Sequence, residues 1–241
     1  MAFKVQPIEV RENAVLEFQN LVGRRYEKRT LGNYQCIDPK QNETIELLEK
    51  YCENILEHLE NGVNILLHGP AGSGKDHLLI GLAKKVLIKC GVDKSIRQRA
   101  WYKYERLQSG IFLYNKDQTK VVSVYIHWVN GADLFGDIRD SMDKKSQSES
   151  SILDELIAPD ILILSDPLPP RGPLTDFQAV TLFRVFDGRY RQCKPTWLSV
   201  NAVDKAEMNE RMGVQLVDRL RDGALCIHTN WPSYRKAAQT L

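Results

Sequence analysis

The sequence has no hydrophobic run able to cross a bilayer. Apolar stretches such as those at residues 65–67 and 161–164 fall far short of the ~18 residues a spanning helix needs. The opening residues lack the apolar core of a secretory leader. Net charge is nearly absent: 33 Lys+Arg against 31 Asp+Glu leave +2, so any grip on nucleic acid or a membrane surface has to come from local patches. Cysteine is sparse and odd in number, with five residues at Cys36, Cys52, Cys90, Cys193 and Cys226 and no C-x-x-C pair, which argues against a zinc site or a disulfide framework. A reducing cytoplasm, with no membrane partner, is the expected location. The histidines His58, His68, His77, His127 and His228 show no metal-ligand spacing, and no serine or cysteine triad can be assembled. Internal repeats and low-complexity tracts are lacking, and residues 144–151 (KKSQSESS) read as a polar loop.

What is present is an ordinary globular composition, 241 residues at 43% hydrophobic and 27% charged. That length allows one full-sized domain with an appendage, or two small ones. Residues 1–30 form a mixed, charged arm with a basic cluster at 24–29 (RRYEKR), able to serve as a partner-binding segment. Within it, Val15, Phe18 and Val22 would share one side of a helix. Ile45, Leu48, Cys52, Ile55 and Leu59 recur at intervals of three and four, the spacing of a single helix stopped by Asn61 and Gly62. Five apolar runs then read as buried strands, at 63–68, 121–127, 161–165, 195–201 and 224–229, with helical stretches between them. Alternation of this kind predicts an α/β fold, a five-stranded parallel sheet flanked by helices over residues 31–241.

One motif carries chemistry. Residues 64–76 (NILLHGPAGSGKD) run from a strand through a glycine-rich loop into a helix, which is G-x-x-x-x-G-K in the context it requires. Gly69, Pro70, Ala71, Gly72, Ser73 and Gly74 form the expected phosphate-binding loop, whose glycines let successive backbone N–H groups turn toward phosphate oxygens. Lys75 adds a point charge and the helix N-terminus a partial one; Asp76 and His77 complete the first turn. Asp76 stands where a magnesium-binding Ser or Thr is usual. The matching acidic strand is residues 160–167 (DILILSDP), which admits two registers. In one, Ser165 fills the metal-carboxylate position with Asp166 as the water-activating acid, giving slow hydrolysis. Alternatively Asp166 is the metal carboxylate and Pro167 stands at the acid's position, giving almost none. In the first register hydroxyl and carboxylate have changed places between Asp76 and Ser165, leaving Asp76, Ser165 and Asp166 as the magnesium set.

These blocks, with residues 194–201 (KPTWLSVN), 217–221 (VDRLR) and 230–235 (NWPSYR), fall in the order of the DnaC/IstB family of AAA+ ATPases, which the chain resembles over residues 30–238. The closer resemblance is to DnaC-type replicative helicase loaders. It implies an AAA+ P-loop core without a C-terminal helical lid, ATP and Mg2+ as ligands, and an ATP-dependent homo-oligomer. By position it makes Asn201 the polar sensor near the γ-phosphate and Arg219 the arginine finger reaching a neighbouring subunit, with Arg221 as second choice. Arg235 would be a cis sensor arginine, and Leu31 and Tyr34 would flank the adenine. The catalytic set is then Lys75, Asp166, Asn201 and Arg219.

The resemblance also implies that residues 127–139 help grip single-stranded DNA, although Asp133, Asp137 and Asp140 make that region acidic. Residues 93–106 (DKSIRQRAWYKYER) interleave five basic and three aromatic side chains, suited to stacking bases amid phosphates, to a protein surface, or to packing on the core. The expected function is a slow ATPase of DNA replication that couples nucleotide to single-stranded DNA and a replicative helicase. The alternatives are an IstB-like regulator of a transposase, and a nucleotide-gated binding module with little hydrolysis.

Overall fold

The structure is a computed structural model that describes residues 4–5, 8–90, 106–107, 110–114, 120–122, 124–143 and 148–235. In chain order its strands are β1 (Lys4–Val5), β2 (Ile65–His68), β3 (Arg106–Leu107), β4 (Gly110–Tyr114), β5 (Lys120–Val122), β6 (Ile126–Asn130), β7 (Ile161–Ser165), β8 (Thr196–Val200) and β9 (Leu225–His228). The helices are α1 (Ile8–Val22), α2 (Pro39–Glu53), α3 (Ile55–Asn61), α4 (Lys75–Cys90), α5 (Gly131–Asp143), α6 (Glu149–Ile157), α7 (Asp176–Arg191), α8 (Lys205–Met212) and α9 (Val214–Arg221), with a 3-10 turn at Leu31–Asn33.

Five strands form one parallel sheet in the order β6-β7-β8-β2-β9. Its side chains alternate between two apolar layers, as a strand period of two demands. Ile65, Leu67, Ile161, Ile163 and Trp197 pack with α1 to α4 on one face. Leu66, Leu162, Leu164, Leu198 and Val200 pack with α5 to α9 on the other. A sheet covered on both sides is what parallel strands joined by helical crossovers require, and the α/β architecture read from the sequence is the one found. Among the described residues no helix follows β9, so no lid domain is present there.

Three features differ from the sequence reading. The apolar run at 121–127 is divided: residues 120–122 join a separate four-stranded sheet, β1-β5-β4-β3, and β6, the edge strand of the five-stranded sheet, starts at Ile126. The stripe from Ile45 to Leu59 spans two helices, because Asn54 (φ −100°, ψ 22°) interrupts the helix after Glu53. Gly62 caps the second in the left-handed region at φ 68°. Finally, α1 lies on α4 and buries Ala14, Phe18 and Val22 in the first apolar layer. Most of the basic aromatic segment, residues 93–105, lies outside the described residues.

Candidate functional site

The chain leaves β2 at His68 and turns through residues 69–74 before α4 starts at Lys75. Gly72 (φ 83°) and Gly74 (φ 89°) occupy backbone conformations that a Cβ penalises. They are also points of close approach: an added Cβ would lie 2.1 Å from Ser233 Oγ at Gly72 and 2.8 Å from the Tyr34 ring at Gly74. The loop is tied from outside. Tyr34 donates its hydroxyl to the Ser73 carbonyl at 2.8 Å, Trp231 donates its indole N–H to the same oxygen at 2.7 Å, and the Tyr234 amide donates to the Gly72 carbonyl at 2.9 Å. In a trans peptide the carbonyl and the following N–H point opposite ways. The amides of Ser73 and Gly74 therefore face away from these donors, as an anion cradle needs.

Lys75 is only 6% exposed, and its ammonium donates to the carbonyls of Gly69 (3.0 Å) and Pro70 (2.9 Å) and to Asn201 Oδ1 (2.8 Å). Burial pulls its pKa down to about 8, against the opposing pull of Asp166 and Asp76. Asn201, just past β8, in turn donates its backbone and side-chain amides to the Asp166 carboxylate. Lys75, Asn201 and Asp166 thus form one chain of polar contacts. Asp166 follows β7 in the left-handed region at φ 44°, a conformation that costs a non-glycine residue about 1 kcal/mol or more. Its amide is held by the Ser199 carbonyl at 2.9 Å, and this geometry aims its carboxylate into the cleft. Burial raises the Asp166 pKa, while the Asn201 bond and Lys75 lower it.

Asp76 is engaged on both oxygens, accepting from the Ser199 hydroxyl at 2.7 Å and from the Tyr26 hydroxyl at 3.3 Å. The hydroxyl beside Asp76 therefore belongs to Ser199. Ser165 is buried in β7, paired in register with Ser199, and is not part of the cleft wall. The exchange between Asp76 and Ser165 inferred from sequence accordingly has a different geometry: the neighbouring strand β8 supplies the hydroxyl. Pro167 packs against the start of α5, where a Cβ on Gly131 would lie 2.3 Å from its Cα.

The remaining expected residues divide into those at the cleft and those away from it. Tyr34 (7% exposed), His77 and Arg235 line it. His77 Nε2 meets the Thr30 carbonyl at 2.9 Å and Asn33 Oδ1 at 3.0 Å. Leu31 is buried against α4, where only a glycine at position 81 lets its backbone approach: a Cβ there would lie 2.6 Å from the Leu31 amide. Arg219 is at the opposite end of the sheet. Asn64, immediately before β2, donates to the Leu220 carbonyl at 3.2 Å, whereas the glycine loop follows the C-terminal end of that strand. The Arg219 guanidinium donates to Asp187 at 3.2 Å and lies 4.5 Å from the Phe183 ring centroid.

Several cleft residues escaped the sequence reading: Arg25, Tyr26, Arg29, Ser199 and Tyr234. The basic cluster at 24–29 was the one available signal for the first three. Together the walls enclose about 390 Å³ and carry four cations, Arg25, Arg29, Lys75 and Arg235, against the carboxylates of Asp76 and Asp166. Such a cleft is suited to a polyanion that brings a hard cation with it. The donor set fits magnesium, since two carboxylates, the hard oxygen donors it takes, line the same cleft.

No family model matches the sequence, and no curated protein matches it either. Solved structures do. The DnaC helicase loader superposes with a TM-score of 0.61 at 19% identity, over 85% of this chain and 99% of that one. DnaI gives 0.60 at 17% identity, over 91% and 100%. AMPPCP-bound DnaA from Aquifex aeolicus gives 0.55 at 16%, over 84% of this chain and 50% of the DnaA chain. The fold is thus one that these three proteins share.

Proposed function

We propose that the protein is an ATP-binding AAA+ protein of DNA replication that uses nucleotide to control its engagement with single-stranded DNA and a replicative helicase. The observation that carries the nucleotide reading is the contact chain Lys75–Asn201–Asp166 at the mouth of a tied glycine loop, facing a cation-rich cleft. Lys75 is the phosphate-binding cation, the loop amides cradle the same phosphates, and Asn201 positions the group attacking the terminal phosphate. Asp76 and Asp166 are the oxygen donors for magnesium, which when bound neutralises charge on the phosphates. Tyr34 backs the loop. The replication context is supported by the fold shared with a helicase loader, with DnaI, and with a DnaA described as bound to both AMPPCP and single-stranded DNA.

Arg219 serves a neighbouring copy. Its position away from its own phosphate loop supports a role in trans, where a guanidinium can make forked bonds to a phosphate. Asp187 holds it until that copy arrives. The test is ATP turnover by the full chain with magnesium, with and without single-stranded DNA, beside Lys75→Ala. Turnover stimulated by single strands and lost in Lys75→Ala is the expected result; Arg219→Ala should bind ATP normally and lose the stimulation. A second reading, a binding module gated by nucleotide with little hydrolysis, is favoured by one observation. Asn201 already occupies the Asp166 carboxylate, and Pro167 follows it. ATP binding without turnover above the Lys75→Ala blank would select that reading.

A further inference from the structure

The segment between α1 and α2 has no regular helix beyond one 3-10 turn, yet it is fixed across the first turns of α4. Lys84 of α4, 5% exposed, donates to the carbonyls of Tyr26 (3.1 Å), Glu27 (2.5 Å) and Arg29 (2.9 Å). The Tyr26 amide closes a turn onto the Gly23 carbonyl at 3.0 Å, and the Arg29 amide a second one onto Tyr26 at 3.0 Å. Asn33 donates to the Lys28 carbonyl at 2.6 Å and caps Thr30. Residues 23–34 therefore form a strap with a set shape, held by polar bonds to a buried lysine.

The strap brings two guanidinium groups, Arg25 and Arg29, to the same cleft that Lys75 enters. Among the described residues neither has a hydrogen-bond or ion-pair partner, although acidic side chains elsewhere on the surface pair readily, as Asp187 does with Arg191 and Arg219. Arg25 and Arg29 both line the cleft together with Gly72 and Gly74 of the loop and Lys75, Asp76 and His77 of α4. Four cations against two carboxylates leave the cleft with a net positive charge, and the cations repel one another until an anion with several charges enters.

We propose that Arg25 and Arg29 are phosphate-binding residues, a second cationic wall facing Lys75 that makes the site select nucleoside triphosphates over nucleotides with fewer phosphates. This rests on the nucleotide reading above. The glycine loop and Lys75 form one wall; the strap forms the other, in cis. Forked guanidinium donors suit the terminal phosphates, which carry the charge that distinguishes ATP from AMP.

The test is equilibrium binding of ATP, ADP and AMP to the full chain, followed by calorimetry at two salt concentrations. It compares the wild type with Arg25→Ala/Arg29→Ala, Arg25→Lys/Arg29→Lys and Lys75→Ala, and melting curves accompany each. The double alanine variant should bind ATP about tenfold to hundredfold more weakly, ADP less affected and AMP least. Its melting temperature should stay at the wild-type value, because both side chains are exposed, and the lysine pair should recover part of the loss. An unchanged ATP affinity in the double alanine variant, with Lys75→Ala still losing it, would overturn the proposal and leave the nucleotide reading standing. Equal losses for ATP and AMP would also overturn it, by making the strap a structural support. If the wild type binds none of the three, the nucleotide reading fails first and this inference falls with it.

Discussion

The glycine loop and the strap line one cleft and are ordered by opposite means. Residues 69–74 are shaped by their own residue types, with glycines in positive-φ conformations and a lysine opening the helix. Residues 23–34 have a single positive-φ glycine, Gly23 at φ 79°, and one capping box at Thr30; between them a lysine some fifty residues later in the chain, accepting no bond and donating three, sets their shape. Local pattern reports the first device and is blind to the second, because a backbone carbonyl that receives a distant ammonium leaves no trace in the residue it belongs to. What the difference teaches is that a segment without periodicity can be as well specified as one with a motif.

The strongest way to break the comparison is at the loop. Gly74→Val adds side-chain bulk at φ 89° and drives it into the buried Tyr34 ring. Strain of about 1–3 kcal/mol is expected there. ATP affinity should fall by about a hundredfold, and melting by about 5 °C. Calorimetry and a thermal melt check it. A variant that still binds ATP well would mean that the loop is less determined by its own residues than its geometry indicates.

The strap is tested at its anchor. Lys84→Met removes three charge-assisted bonds and leaves three carbonyls to find water; a loss of about 2 kcal/mol is expected, which lowers melting by about 4–8 °C. ATP should bind about tenfold more weakly although Lys84 itself is not in the cleft wall. Protease cleavage confined to residues 23–34 should become faster. If melting and cleavage stay at wild-type values, the strap is draped rather than anchored, and the contrast with the loop collapses.

Much of this architecture was legible in the sequence and some was not, for reasons visible at particular residues. The glycine loop and the acidic strand were readable because each is a local pattern at the end of an apolar run, and Asn201 was pointed to by the family resemblance. The strand at 121–127 was misplaced because VVSVYIH is apolar enough for one strand, and only the sheet partners show that 120–122 and Ile126–Asn130 part company. Ser199 went unnoticed because a serine inside a buried strand has no signature; its role exists only once Asp76 is opposite it. Lys84 and Lys85 look alike in the sequence, yet Lys85 pairs with Glu49 on the surface while Lys84 is buried.

Titration separates the two walls. Lys75 titrates in the folded protein at about 8 against 10.5 when unperturbed. Between those values the unfolded chain holds the extra proton, so the Lys75 contribution to stability of the free protein rises with pH across the window. Phosphate binding moves the other way, because a neutral lysine no longer offsets phosphate charge. ATP affinity should therefore decline above pH 8, and the penalty of Lys75→Ala should shrink toward pH 10. Arginines keep their charge throughout, so the penalty of Arg25→Ala/Arg29→Ala should persist. Binding isotherms at pH 7.5 and 9.5 decide this; equal fading of both penalties would make the arginines bystanders.

The smallest effect is expected at Tyr26, whose side chain links the strap to Asp76 in the first turn of α4. Tyr26→Phe deletes a hydroxyl bond to Asp76 that is already long at 3.3 Å, while the ring keeps its tilted contact with Trp128 at 6.4 Å between centroids. Asp76 retains the shorter bond from Ser199. A change of about 0.5–1 kcal/mol follows, or less than about fivefold in ATP affinity, with melting nearly unaltered. The ranking matters more than the size. If the strap acts by presenting arginines, Tyr26→Phe must be milder than Lys84→Met, since it leaves the carbonyl bonds of the strap in place. If it acts by steering Asp76, Tyr26→Phe should equal Lys84→Met in ATP binding while sparing stability, and Ser199→Ala should reproduce it. Binding and melting measured side by side on the three variants separate these outcomes, because only the first predicts that affinity and strap order fall together.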